Sequence, residues 1–111
     1  MMFGSGPGRI PFESHLEKLK EPARTMIVDL RKFVISLGSN VIEEVRPHRI
    51  VYSKTMNFRI FLDIEPTAGD SLTLSIRYGR GGGSPVSLRV MNIEDAEHAK
   101  KQISDAYNKI Q

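Results

Sequence analysis

Three histidines, one close pair of carboxylates and a set of arginines are the residues of this 111-residue chain best suited to chemistry. His15, His48 and His98 fall on three separate segments, and none has a partner at a metal-ligand spacing such as i, i+4. They read as scattered surface histidines. There is no cysteine, so thiolate catalysis, disulfides and cysteine-based zinc sites are excluded. A Ser-His-acid triad assembles in space and leaves no spacing to read, and no nucleophile elbow suggests one. Asp63 and Glu65 are two apart, which puts both carboxylates on one face of an extended segment. Such a pair can hold a metal or share a proton. No acid in the chain is followed two positions later by the lysine that a restriction-type nuclease site wants. A small carboxylate-dependent enzyme is therefore the weakest of the functional readings, and no metal or cofactor is expected.

The arginines form a larger pattern. Arg49, Arg59, Arg77, Arg80 and Arg89 lie on or beside strand-like segments, with Phe61 among them. Arginines around an exposed aromatic on an antiparallel sheet resemble a stacking platform for single-stranded nucleic acid. The glycine-aromatic signature of the RNA recognition fold is missing, and so is its element order. A plainer account pairs Arg59, Arg77 and Arg89 with Asp63 and Glu65 across strands. Another makes Phe61 and Met91 a patch for self-association. Arg80 sits in Gly79-Arg80-Gly81-Gly82-Gly83-Ser84-Pro85. Backbone amides in such a loop can approach phosphate. It leads into a strand instead of a helix, so it reads as a long flexible hairpin. A net charge of +3 is compatible with a polyanion without requiring one.

These residues need a sheet to hold them. Asn57 to Pro66 alternates strictly, with Phe58, Ile60, Leu62 and Ile64 on one side and Arg59, Phe61, Asp63 and Glu65 on the other. Pro66 is expected to close the run. Val41–Arg46, His48–Lys54, Ser71–Tyr78 and a segment from Val86 supply further strands. A helical stripe runs from Leu16 to Leu37, widened by Val28 and Ile35. Pro22 breaks it into a short helix near 13–19 and a second from about 22 to 37, and Gly38 is the expected left-handed stop. Asn92 with Glu94 and Asp95 opens a last helix over about 93–110.

The predicted order is helix, four or five strands in a meander, helix. Short connections favour antiparallel pairing. One-sided elements must hide their apolar faces on one another. The expected fold is α+β: a two-layer sandwich with the N-terminal and C-terminal helices on one face of the sheet and the other face open. Residues 1–11 read as a flexible tail and 12–111 as one domain. No apolar run approaches the roughly 20 residues that span a bilayer, and Met1–Gly8 lacks the pattern of a signal peptide. The expectation is a cytoplasmic protein with no membrane partner.

Phe12-Glu13-Ser14-His15-Leu16-Glu17-Lys18-Leu19, the acidic Val41–Arg46 segment, Tyr52 followed by Asn57-Phe58, and Ala106-Tyr107 resemble a small archaeal and bacterial family of unknown function. Its domains are sometimes labelled predicted transport protein. They occur alone or at the end of larger chains, including nuclease-like ones, and the chain also resembles a stand-alone archaeal hypothetical protein of this length. The resemblance covers roughly residues 12 to 110, and this chain is shorter than that family between Ile76 and Val86. It implies the two-layer sandwich and carries over no catalytic or binding residue. The leading expectation is a non-enzymatic binding or assembly module that uses the open sheet face, for a protein partner or for self-association. Nucleic-acid binding through Arg49, Arg59, Phe61, Arg77, Arg80 and Arg89 is the alternative.

Overall fold

Phe61 sets the geometry of the central strand, and it does so from the side opposite to the one its alternation suggests. The computed structural model describes residues 10–55, 59–67, 69–79 and 84–110. The expected flexible tail as far as residue 9, residues 56–58 and Arg80 with the glycines that follow it lie outside them. The elements are α1 (Glu13–Lys18), α2 (Ala23–Ser36), β1 (Val41–Val45), β2 (Ile50–Lys54), β3 (Ile60–Thr67), β4 (Ser71–Ile76), β5 (Val86–Val90) and α3 (Ile93–Lys109). The five strands form one antiparallel sheet in the order β1-β2-β3-β4-β5. This is the α+β meander expected from the alternation.

Tyr52 pairs with Leu62, but its neighbour Ser53 pairs with Ile60. One residue of β2 thus faces two of β3, and Phe61 is the extra one. A bulge of this kind bends the strand and re-aims a side chain. Phe61 turns into the helix layer, is fully buried, and meets Tyr107 of α3 edge-on at 5.5 Å between ring centres. Its expected exposure is therefore corrected. Past the bulge the faces exchange, and Ile60, opposite Ser53, moves to the open side. Pro66 does not end the strand either. It lies opposite Leu72, beyond the last β2 pair, and β3 continues to Thr67.

The core lies between sheet and helices. Ile50, Tyr52, Leu62, Ile64, Leu72, Leu74, Ile76 and Val90 meet Met26, Ile27, Leu30 and Val34 of α2 and Ala96, Ala99, Ile103 and Ala106 of α3. The alanines leave room for the aromatic pair between α3 and β3. Ile35 stays 46% exposed, so the buried stripe of α2 is narrower than the sequence suggests. Lys100, on the expected water-facing side of α3, ties that helix to α2 through Asp29 at 2.7 Å.

Polar side chains lock the layers together. Arg31 of α2 grips Glu43 of β1 through two hydrogen bonds of 2.8 and 2.9 Å, and the Tyr52 hydroxyl donates to the same carboxylate at 2.8 Å. The Arg31 guanidinium also lies over the Phe12 ring at 4.2 Å. At the other end of β2, Lys54 donates to the carbonyls of Tyr107 and Ile110, at 2.9 and 2.6 Å. An ammonium there satisfies orphan carbonyls and opposes the negative end of the α3 dipole. Asn92 caps the other end of α3, accepting from the Asp95 N–H at 2.8 Å.

Gly38 is not a left-handed stop: the described glycines with positive φ are Gly69 and Gly79. Its requirement is space. The Tyr107 hydroxyl, bonded to Asn40, sits where a Cβ on Gly38 would be. Gly38→Ala should cost about 1–3 kcal/mol by overpacking. Adding Tyr107→Phe should return part of that loss, which a double-mutant cycle in urea would read.

Burial, with the Glu43 carboxylate beside it, holds the Tyr52 phenol above its ordinary value. The unfolded chain ionises it near pH ~10. The folded chain keeps it neutral, so its contribution is complete below that value and falls as pH rises past it. Above about pH 10, wild type should lose stability faster than Tyr52→Phe, by about 1 kcal/mol per pH unit, in paired urea titrations.

Candidate functional site

The face of the sheet turned away from the helices carries the charged residues that the sequence singles out. Strand pairing places Glu44, Val51, Asp63, Ser75 and Ser87 in one row across all five strands. Thr73 lies opposite Glu65 on one side and Arg89 on the other. Arg49 immediately precedes β2 and Arg77 immediately follows β4, both in phase with this face. No described helix lies over it. Asp63, Glu65, Thr73, Ser75, Arg77, Ser87 and Arg89 thus stand on the face their alternation assigns, and Phe61 does not.

Asp63 is the pivot. It is only 4% exposed although it belongs to the open face. Arg49 approaches one of its oxygens at 4.0 Å and Arg77 the other at 3.5 Å. Arg49 also reaches Glu65 at 3.6 Å. The two carboxylates therefore do share a face, but a guanidinium stands against both. These distances are at the long end for ion pairs, and a guanidinium has five N–H donors. Among the described residues these contacts leave most of the N–H donors of Arg49 and Arg77 unmatched. Arg46, which was not singled out in the sequence, joins the face by gripping Glu44 at 3.0 Å. Its hydrogen bonds to that carboxylate hold the guanidinium more firmly protonated than usual. Arg89 is exposed. Arg59, half-buried, precedes β3, where its carbonyl accepts from Lys54 N–H at 3.2 Å, so it stands apart from the Asp63 cluster in sequence and strand position.

An apolar strip adjoins the charges. Ile42, Ser53 and Ile60 form one row beside Val51, and Ile42, Val51 and Ile60 are not part of the helix-side core. Val51 is 4% exposed and the two isoleucines are half-buried. Sequence alternation missed Ile60 because the bulge reverses its face. Met91, 57% exposed, lies beyond the end of β5 and away from Phe61, so the two do not form one patch.

The histidines separate. His98 is exposed on α3. His15 is buried, contrary to the surface position expected, because α1 packs it against the β1–β2 turn, where its Nε2 lies 2.7 Å from the Arg46 carbonyl. His48 stands in that same turn, and both histidines line one cleft. Among the described residues, no three His, Asp or Glu side chains gather in a way that could hold a metal ion, and no helix is long and apolar enough to cross a membrane.

The chain matches no protein-family model, no curated protein and no solved structure.

Asp63→Asn removes the charge that Arg49 and Arg77 share. Both arginines are more than a third exposed, so water screens much of the loss. The expected cost is about 1–2 kcal/mol, and it should shrink when Arg77→Ala is already present. Urea midpoints of the four chains would show it.

Proposed function

We propose that this chain is a non-enzymatic binding or assembly module and that the open face of its sheet makes the contact. The observation that carries this reading is the pairing of two features on one uncovered surface. An apolar strip of Ile42, Val51 and Ile60 lies beside arginines that are anchored yet under-used as donors. Protein interfaces combine an apolar centre with a polar rim, and arginine is enriched in them. Arg49 and Arg77 are held by a buried carboxylate, so less side-chain entropy is lost when a partner binds. The partner that fits is a protein segment with carboxylates spaced around apolar side chains.

Nucleic-acid binding is the second reading, favoured by Arg46, Arg49, Arg77 and Arg89 spread along one face. With Phe61 buried it has lost its stacking residue on that face. It rests on phosphate contacts alone, which give affinity without sequence preference. The resemblance to a family without assigned residues adds no ligand to either reading.

Amide chemical-shift mapping with an acidic, leucine-containing peptide and with a single-stranded oligonucleotide tests both. The module reading expects the peptide to shift Ile42, Val51, Ile60 and Asp63, with affinity about tenfold weaker in Arg49→Ala/Arg77→Ala. Shifts confined to the lysines of α3 would overturn it. Oligonucleotide shifts on the arginines that fade steeply with salt would favour the second reading instead.

A further inference from the structure

A cleft of about 210 Å³ opens at one end of the sheet, where the β1–β2 and β3–β4 turns meet α1. His15, Lys18, Leu19, Pro47, His48, Pro66 and Gly69 line it. The titratable groups in this lining are His15 and Lys18 from α1 and His48 from the β1–β2 turn, and all three are basic. The β3–β4 turn contributes Pro66 and Gly69, which do not titrate. Gly69 has positive φ, the backbone conformation that lets the turn reverse beside the cleft. A hydrogen bond of 2.6 Å from Lys20 N–H to the Gly69 carbonyl fixes that turn to the segment after α1.

His15 is the unusual member. It is 97% buried, being 3% exposed, and Nε2 lies 2.7 Å from the Arg46 carbonyl. A carbonyl only accepts, so Nε2 carries a proton and donates it. Nδ1 has no hydrogen-bond partner among the described residues. Every fully enclosed side-chain nitrogen or oxygen among them does have one, so Nδ1 is reached by solvent, and the cleft is the opening that His15 lines. A buried imidazole is thus held rigidly with one ring nitrogen unused and available. Lys18 and His48, both exposed side chains, bring further N–H donors to the same space.

We propose that this cleft binds a small oxyanion, phosphate or a phosphate monoester, through His15 Nδ1, Lys18 and His48. When the anion enters, a protonated phosphate oxygen donates to His15 Nδ1, while Lys18 and His48 donate to its charged oxygens. The Nε2 bond to the Arg46 carbonyl is kept, because that nitrogen remains the donor while Nδ1 accepts. The Lys18 ammonium in the lining opposes a metal cation and favours an anion. The cleft has room for about seven waters, more than a bare ion displaces. Leu19, Pro47 and Pro66 give the remaining space an apolar wall, which suits a small organic group on a phosphate oxygen. This site lies at the turn end of the sheet and does not depend on the open-face reading.

The test is a titration of the whole chain with inorganic phosphate at constant ionic strength, followed by imidazole and amide nitrogen shifts. Saturable shifts at His15, His48 and Gly69 are expected, with affinity about tenfold weaker in Lys18→Gln. Lys18→Gln and His48→Gln alter exposed side chains, so they carry the test even if His15→Gln fails to fold. A response without saturation, or an undiminished one in Lys18→Gln, would overturn the proposal. So would saturable binding of zinc alone at the same imidazoles with none of phosphate. Tighter binding of methyl phosphate than of phosphate would assign the monoester, and the reverse order would assign the free anion.

Discussion

The edge-on contact between Phe61 and Tyr107 is the constraint around which the two layers are arranged. Phe61 reaches Tyr107 only because β3 carries one residue more than β2 at that point. The bulge sends a large ring into the helix layer, where burying it is worth several kcal/mol, of the order of a phenylalanine truncation in a core. Tyr107 in turn bonds Asn40 through its hydroxyl and closes over Gly38, which has no side chain to obstruct it. Lys54 holds the carbonyls of Tyr107 and Ile110 from β2 and lies over the Tyr107 ring at 4.1 Å. The end of α3, the start of β1 and the end of β2 are thereby tied to one aromatic pair.

The two faces of the sheet use charge in different ways. On the helix side Glu43 is satisfied by Arg31 and by the Tyr52 hydroxyl, all within hydrogen-bond distance. That cluster joins α2 to the first strand and leaves the carboxylate little capacity for anything else. On the open side Asp63 meets two arginines at longer range. It steadies them without exhausting their donors. The network is thus tight on the helix side and looser on the open side. The turn end differs again, since His15 uses one ring nitrogen to join α1 to the β1–β2 turn and the other has no partner among the described residues.

Much of the architecture was legible in the residues. The helical stripes, the break at Pro22, the Asn92 cap and the alternation of Ser71–Ile76 all rest on local rules of period, capping and turn chemistry, and the structure follows them within a residue or two. The charged residues of β3 and β4 were legible for the same reason, because alternation assigns a face wherever the strand is regular. What escaped was non-local. No residue type near Phe61 announces a bulge, so a strict period of two placed it on the wrong face and Ile60 with it. Gly38 looked like a helix stop because its purpose lies with Tyr107, distant in sequence. His15 looked like a surface histidine because its partner is a backbone carbonyl, which has no signature in a string of side chains.

The sequence by itself determined the kinds of element, their order and an antiparallel one-sided sheet, because apolar period and short connections leave few other ways to hide the apolar faces. The tertiary structure alone decided which side chains of different elements meet, and which face is presented where a strand is irregular. A single register shift exchanges faces. The pairing of Arg49 and Arg77 on Asp63, the strip of Ile42, Val51 and Ile60, and the meeting of His15 with His48 all follow from strand register and turn packing, which arise from contacts between residues far apart in the chain.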